Sequence, residues 1–172
     1  MNRTIAVLTA YSSPSQDIFY LSKQFGFRFV QPSGYVIVNA TKKSSTQPNA
    51  PLQVLEMWKQ KDYANRIHLT ESPAIISISV YSNPRHLPLA NWKGKLSHND
   101  TRPFTVSGQQ AIAYSDTGLY ESDNVLFSSP DSRYVFHLKG DYLSASDFIR
   151  QTFQDILSSF SFVKALTNGT AF

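Results

Sequence analysis

The sequence predicts an α+β domain, an antiparallel sheet with helices on its faces, and three observations carry that prediction. Residues 74–81 alternate Ile76, Ile78 and Val80 with Ser77, Ser79 and Tyr81, the two-residue period of a strand. Residues 103–138 hold short β-prone runs separated by turn-rich segments, as in an antiparallel meander. Near the C-terminus Phe148, Ile149, Phe153, Ile156, Leu157 and Phe160 form one apolar stripe at helical spacing. Strands apolar on both sides (Val54 with Leu55 and Met57; Tyr134, Val135 and Phe136) require cover on both faces, so helices are expected on each side of the sheet.

Taken in order, residues 1–18 form an N-terminal extension or a first strand, 19–162 a single domain, and 163–172 a tail. Phe25, Phe27 and Phe29 stand two apart and share one face of an extended strand. Pro32 and Gly34 then break the chain before Tyr35–Val38 resumes, which predicts a hairpin that opens the sheet. A polar, proline-containing loop over 41–51 leads to a strand over 52–60, with Val54, Glu56 and Trp58 on one face and Leu55, Met57 and Lys59 on the other. A short helical turn over 61–68 and the strand at 74–81 follow. Pro88 suits a first helical turn, and Leu89, Trp92 and Leu96 recur at helical spacing, so a short helix is expected over 88–96. The meander comprises strands at 103–106, 110–115, 124–128 and 133–138. Ser144 and Asp147 stand in capping-box-like spacing ahead of the last helix.

At 172 residues, with 41% hydrophobic and 13% aromatic residues, the chain has ample material for one core. There are no cysteines, which excludes disulfides, thiolate metal sites and cysteine nucleophiles within this sequence. No apolar run approaches the roughly 20 residues of a membrane helix. The start Met1-Asn2-Arg3-Thr4 followed by a short apolar run reads as a remnant of an export signal, a cytosolic start or a first strand. The net charge of +4 is unevenly spread: +3 over 42–66, +3 over 85–102 and −4 over 116–147. Such asymmetry orients a protein against a charged partner, although scattered solvated charges give the same count. No basic cluster is interleaved with aromatics in a nucleic-acid-binding pattern, so no nucleic-acid partner is expected.

Candidate chemistry is sparse. His98 lies beside Asn99 and Asp100, the best local arrangement for a divalent cation, but it offers two ligands where three or four must converge; no cofactor is expected. His137, between Phe136 and Leu138, reads as a hydrogen-bonded sheet histidine. Neither Ser33-Gly34 nor Ser107-Gly108 lies in a nucleophile elbow, and no P-loop, dinucleotide or zincin pattern occurs. Asp116, Glu121 and Asp123 flank Tyr120 in what reads as a solvated acidic loop. Within it Leu119 and Tyr120 are candidates for partner contact, or else fold back over the sheet.

The order Phe25-Gly26-Phe27-Arg28-Phe29…Pro32-Ser33-Gly34-Tyr35, the strand of 75–83 with its following helix, Gly108-Gln109-Gln110-Ala111-Ile112-Ala113-Tyr114, and the helix of 144–160 closing on Ser159-Phe160-Ser161-Phe162 resembles the PsbP family. That family comprises extrinsic subunits and assembly factors of photosystem II. The resemblance implies an α-β-α sandwich around a central antiparallel sheet. It also implies a non-enzymatic accessory protein docking on a photosynthetic membrane complex, in the thylakoid lumen or periplasm; a monomer is expected. Without a complete signal peptide in this sequence, a cytoplasmic setting is the alternative. Lys59, Lys61 and Arg66 leave a strand for a turn, and Lys93 and Lys95 project from the middle helix; with Leu119 and Tyr120 they are the expected partner-binding residues. The competing expectation is a ligand-binding protein or hydrolase with a pocket between the sheet and a helix.

Overall fold

The computed structural model describes residues 17–41, 49–96 and 100–163. In chain order these form β1 (Phe19–Ser22), β2 (Phe27–Val30), β3 (Tyr35–Asn39), β4 (Gln53–Lys59), α1 (Gln60–Ala64), a 3-10 turn (Arg66–His68) and β5 (Ile76–Ser82). There follow α2 (Leu89–Leu96), β6 (Arg102–Val106), β7 (Gln109–Thr117), β8 (Glu121–Ser128), β9 (Tyr134–Tyr142), α3 (Phe148–Ser159) and β10 (Ser161–Phe162). The main sheet is antiparallel throughout, in the order β3-β4-β5-β9-β8-β7-β6, and β1, β2 and β10 form a second, three-stranded sheet.

The alternation in β5 does what its sequence predicts. Ile76, Ile78 and Val80 are buried on the same side as Leu55 and Met57 of β4 and Phe136 and Leu138 of β9. The small sheet and α3 cover this face. Phe27 stacks on Phe160 at 5.2 Å between ring centroids and meets Phe136 edge-on at 5.4 Å; Phe127 lies 5.0 Å from Phe160. These offset and edge-on pairings suit the ring quadrupoles. On the opposite face Trp92 and Leu89 of α2 pack with Tyr81, Ile112, Tyr114, Leu126 and Val135. The result is three layers, with α3 and the small sheet on one side and α2 on the other. The expected α-β-α architecture is present.

Three local expectations need correction. Residues 25–38 do not form a hairpin: β2 pairs with β1 and β10, whereas β3 pairs with β4 in the main sheet. The turn at Pro32–Tyr35, where Gly34 takes a φ of 76° that favours glycine, passes the chain from one sheet to the other. The N-cap of α3 is Asp147, not Ser144. Its carboxylate accepts from the Ile149 amide at 3.2 Å, because the helix begins at Phe148. Phe148 therefore leaves the apolar stripe; it stands at the first helical position and points to solvent, while Ile149, Phe153, Ile156 and Leu157 are buried. The tight turn between β6 and β7 is as expected, with Ser107 and Gly108 both at positive φ (50° and 76°), a pairing that matches the right-handed strand twist.

Candidate docking surface

The register of the main sheet gathers several chain segments at one end. Tyr35 opposite Lys59, Met57 opposite Ile76, Ile76 opposite Gly140, and Glu121 opposite both Tyr142 and Thr117 place six strand ends together. The connections made there are residues 60–75, the turn 118–120 and the loop 143–147 leading into α3. Side-chain contacts tie them to one another. The Tyr120 hydroxyl donates to the Ser72 carbonyl at 2.7 Å, and Lys59 Nζ lies 3.7 Å from Asp147. Arg150 donates from Nε to Asp123 at 2.9 Å, with a second nitrogen also 2.9 Å from that oxygen, and its guanidinium lies 4.6 Å from the Tyr142 ring centroid.

This end brings together five of the seven expected partner-binding residues. Lys59, at the end of β4, is half-exposed and paired with Asp147. Lys61 is exposed on α1. Arg66 donates to the Tyr63 carbonyl at 2.8 Å and stacks over that ring at 4.1 Å. Tyr120 folds back, its hydroxyl bound to the Ser72 carbonyl, and Leu119 projects into solvent. Lys93 and Lys95 lie on α2, on the opposite face from α3, and their side chains fall outside the described residues, as does His98. Asp100 is exposed. Among the described residues no group of three or more His, Asp or Glu is placed to hold a metal ion.

The acidic loop needs correcting. Asp116 and Glu121–Asp123 belong to β7 and β8, with Ser115 opposite Asp123 and Asp116 opposite Ser122. Asp123 is buried and bound to Arg150, a partner 27 residues away that local sequence could not reveal. The hydrogen bond to Asp123 in turn raises the Arg150 pKa. Lys59 and Arg150, from outside the acidic segment, reach Asp147 and Asp123 within it, so part of the charge asymmetry seen along the sequence is offset in space.

A buried polar cluster lies farther up the same strands. His137 Nε2 is 2.9 Å from Asn124 Oδ1 and 3.2 Å from the Tyr114 hydroxyl. The Asn124 amide nitrogen faces Ser122 Oγ at 3.2 Å and Asp116 Oδ2 at 3.4 Å, so its oxygen is the acceptor and Nε2 carries the proton. Burial, with help from Lys139, lowers the His137 pKa to about 4, and burial raises that of Tyr114. His137 is a satisfied sheet histidine. A depression of about 400 Å³ lies beside the first turns of α3, lined by residues including Phe148, Arg150 and Gln154. All seven of its lining residues come from 145–154, so it is not the expected pocket between sheet and helix.

The sequence matches no family model, and no curated protein matches it. The architecture does find a counterpart. The solution structure of cyanobacterial PsbP (CyanoP) from Synechocystis sp. PCC 6803 superposes with a TM-score of 0.53, covering 88% of this chain and 97% of that one. The fold is PsbP-like. Identity over the match is 12%, which carries the fold and leaves function to be argued. Among the described residues, no helix of this PsbP-like domain is long and apolar enough to cross a membrane.

Proposed function

We propose that this chain is a non-catalytic, PsbP-like accessory protein that docks on a photosynthetic membrane complex and serves photosystem II assembly or stabilisation, in the thylakoid lumen or periplasm. The observation that carries this reading is the near-complete overlap with cyanobacterial PsbP, in which almost the whole of each chain takes part. In this reading the sheet end described above is the docking surface, through Lys59, Lys61, Arg66 and the exposed Leu119, its cations nearly balanced by neighbouring acids, with Lys93 and Lys95 on α2 as further basic contacts. The ligand-binding or hydrolase alternative has less support: the depression described above lies beside the first turns of α3, and Phe27 and Phe160 pack directly on Phe127 and Phe136 of the sheet.

The test is affinity capture of detergent-solubilised cyanobacterial thylakoid membranes on the immobilised protein at low salt, where charge steering is strongest. Enrichment of photosystem II subunits over an unrelated basic protein of similar size is the expected result. Recovery of no thylakoid component removes the proposal.

A further inference from the structure

Five large apolar side chains are at least 70% exposed: Phe148 (82%), Ile67 (79%), Leu119 (74%), Leu143 (73%) and Ile18 (70%). The first four lie at the sheet end described above, on three of its connections, with Leu143 and Phe148 flanking the loop into α3. Leu119 is in the β7–β8 turn, Leu143 follows β9, Phe148 opens α3, and Ile67 sits in the 3-10 turn after α1. The underlying backbone is held in place. Asp147 caps α3 and receives Lys59, and Tyr120 ties its turn to Ser72. The tips are therefore presented by a braced frame.

Scattered exposed apolar residues are ordinary; four of the most exposed at one end call for an occupant. The charges around them indicate its nature. Lys59, Lys139 and Arg150 are matched by Asp147, Asp141 and Asp123. Lys61 and Arg66 share their connection with Asp62 and Glu71. A surface so nearly neutral complements an uncharged surface and gives no preference for an anionic one. The tips also rise from three connections with polar groups between them. A protein partner would need a matching pocket for each, whereas the fluid boundary between lipid headgroups and acyl chains admits isolated apolar tips without shape matching.

We propose that this end of the sheet inserts Leu119, Leu143, Phe148 and Ile67 into the interface of an uncharged lipid bilayer. The inference is independent of the identity of any protein complex. It makes the domain a peripheral membrane binder in its own right.

The experiment is flotation of the full chain with protein-free phosphatidylcholine vesicles, with and without phosphatidylglycerol, at low and high salt. The expected result is co-flotation with both vesicle types that persists at high salt. Replacing the three tips in Leu119→Ser/Leu143→Ser/Phe148→Ser should reduce partitioning by about tenfold or more. Leu52→Ser, which alters an exposed leucine at the far end of β4, should leave it unchanged. The substituted side chains are exposed, and circular dichroism checks that the fold is kept. Absence of flotation, flotation confined to phosphatidylglycerol vesicles and lost in salt, or undiminished flotation of the triple variant would each overturn the proposal. Binding to thylakoid membranes but not to protein-free vesicles would also overturn it, in favour of a protein partner, and would leave the photosystem reading standing.

Discussion

His137 shows how one residue sets a property of the whole chain. Its folded pKa of about 4 lies below the ordinary histidine value because burial disfavours the cation. The unfolded chain therefore takes up the proton first, and stability falls as pH drops from about 6.5 to about 4. Above that window the neutral ring contributes fully; below it the contribution is gone. Denaturant unfolding across this range should show a loss on the order of 2–3 kcal/mol, and His137→Gln should flatten that slope. Asp123 poses the opposite problem, a buried carboxylate that depends on Arg150. Arg150→Met should cost about 3 kcal/mol in a urea titration, because it strands that charge, and adding Asp123→Asn should recover part of the loss. Sequence exposed His137 plainly, since a histidine between Phe136 and Leu138 in a strand has few other fates. Asp123 was misread because Gly118 and the surrounding acids suggest a loop, and nothing nearby announces Arg150.

At the level of elements, α3 shows what periodicity conveys and where it stops. The spacing of Ile149, Phe153, Ile156 and Leu157 fixes its buried face, yet Phe148 fits the same stripe and is exposed. A stripe cannot tell which residue opens the helix, and Ser144 and Asp147 are both chemically competent caps. The structure chooses Asp147, so Asp147→Ala should lower stability by about 1 kcal/mol, read as a shift in thermal midpoint, whereas Ser144→Ala should do little. The misplaced hairpin has a related cause. Strand alternation in 27–30 and 35–39 shows two strands, but pairing partners are decided at a distance, and β2 is claimed by Phe162 and Ser161. β9 and α3 approach closely at Gly140, where an added Cβ would lie 2.9 Å from the Phe153 ring. Gly140→Ala should destabilise by about 1–3 kcal/mol, and Phe153→Leu should relieve part of the strain in the double variant.

For the whole molecule, the fold class and the three layers were legible because β5 alternates, β4 and β9 are apolar on both faces, and two amphipathic helices are available to cover them. The docking surface was legible only in fragments. Lys59, Lys61, Arg66, Leu119 and Tyr120 were each visible, but their shared location depends on the register of six strands. Leu143 and Phe148 were missed as surface residues, the first for want of any pattern and the second for fitting one too well. Association with a membrane complex offers a test at this scale. Lys61→Glu/Arg66→Glu should slow association and weaken its salt dependence in surface-binding kinetics while leaving the unfolding midpoint unchanged. Lys59 is left out because reversing it would set a carboxylate beside Asp147. The same double variant should partition normally onto uncharged vesicles, which separates steering by charge from insertion by apolar tips.

The position of β9 has a consequence for how the chain comes to be folded. β5 lies in the middle of the main sheet, and its second neighbour is β9, which is reached only after α2 and the whole β6–β7–β8 meander. The small sheet closes later still, when Ser161 and Phe162 return to Arg28 and Phe27. Both sheets thus wait for the last quarter of the chain, and the mean separation of contacting residues is large. Refolding should fall in the millisecond-to-second range of high-contact-order domains rather than among the microsecond folders, as stopped-flow fluorescence of Trp58 and Trp92 would show. A fragment ending before Tyr134 should lack sheet ellipticity, because β5 would expose Ile76, Ile78 and Val80 along an edge with no partner.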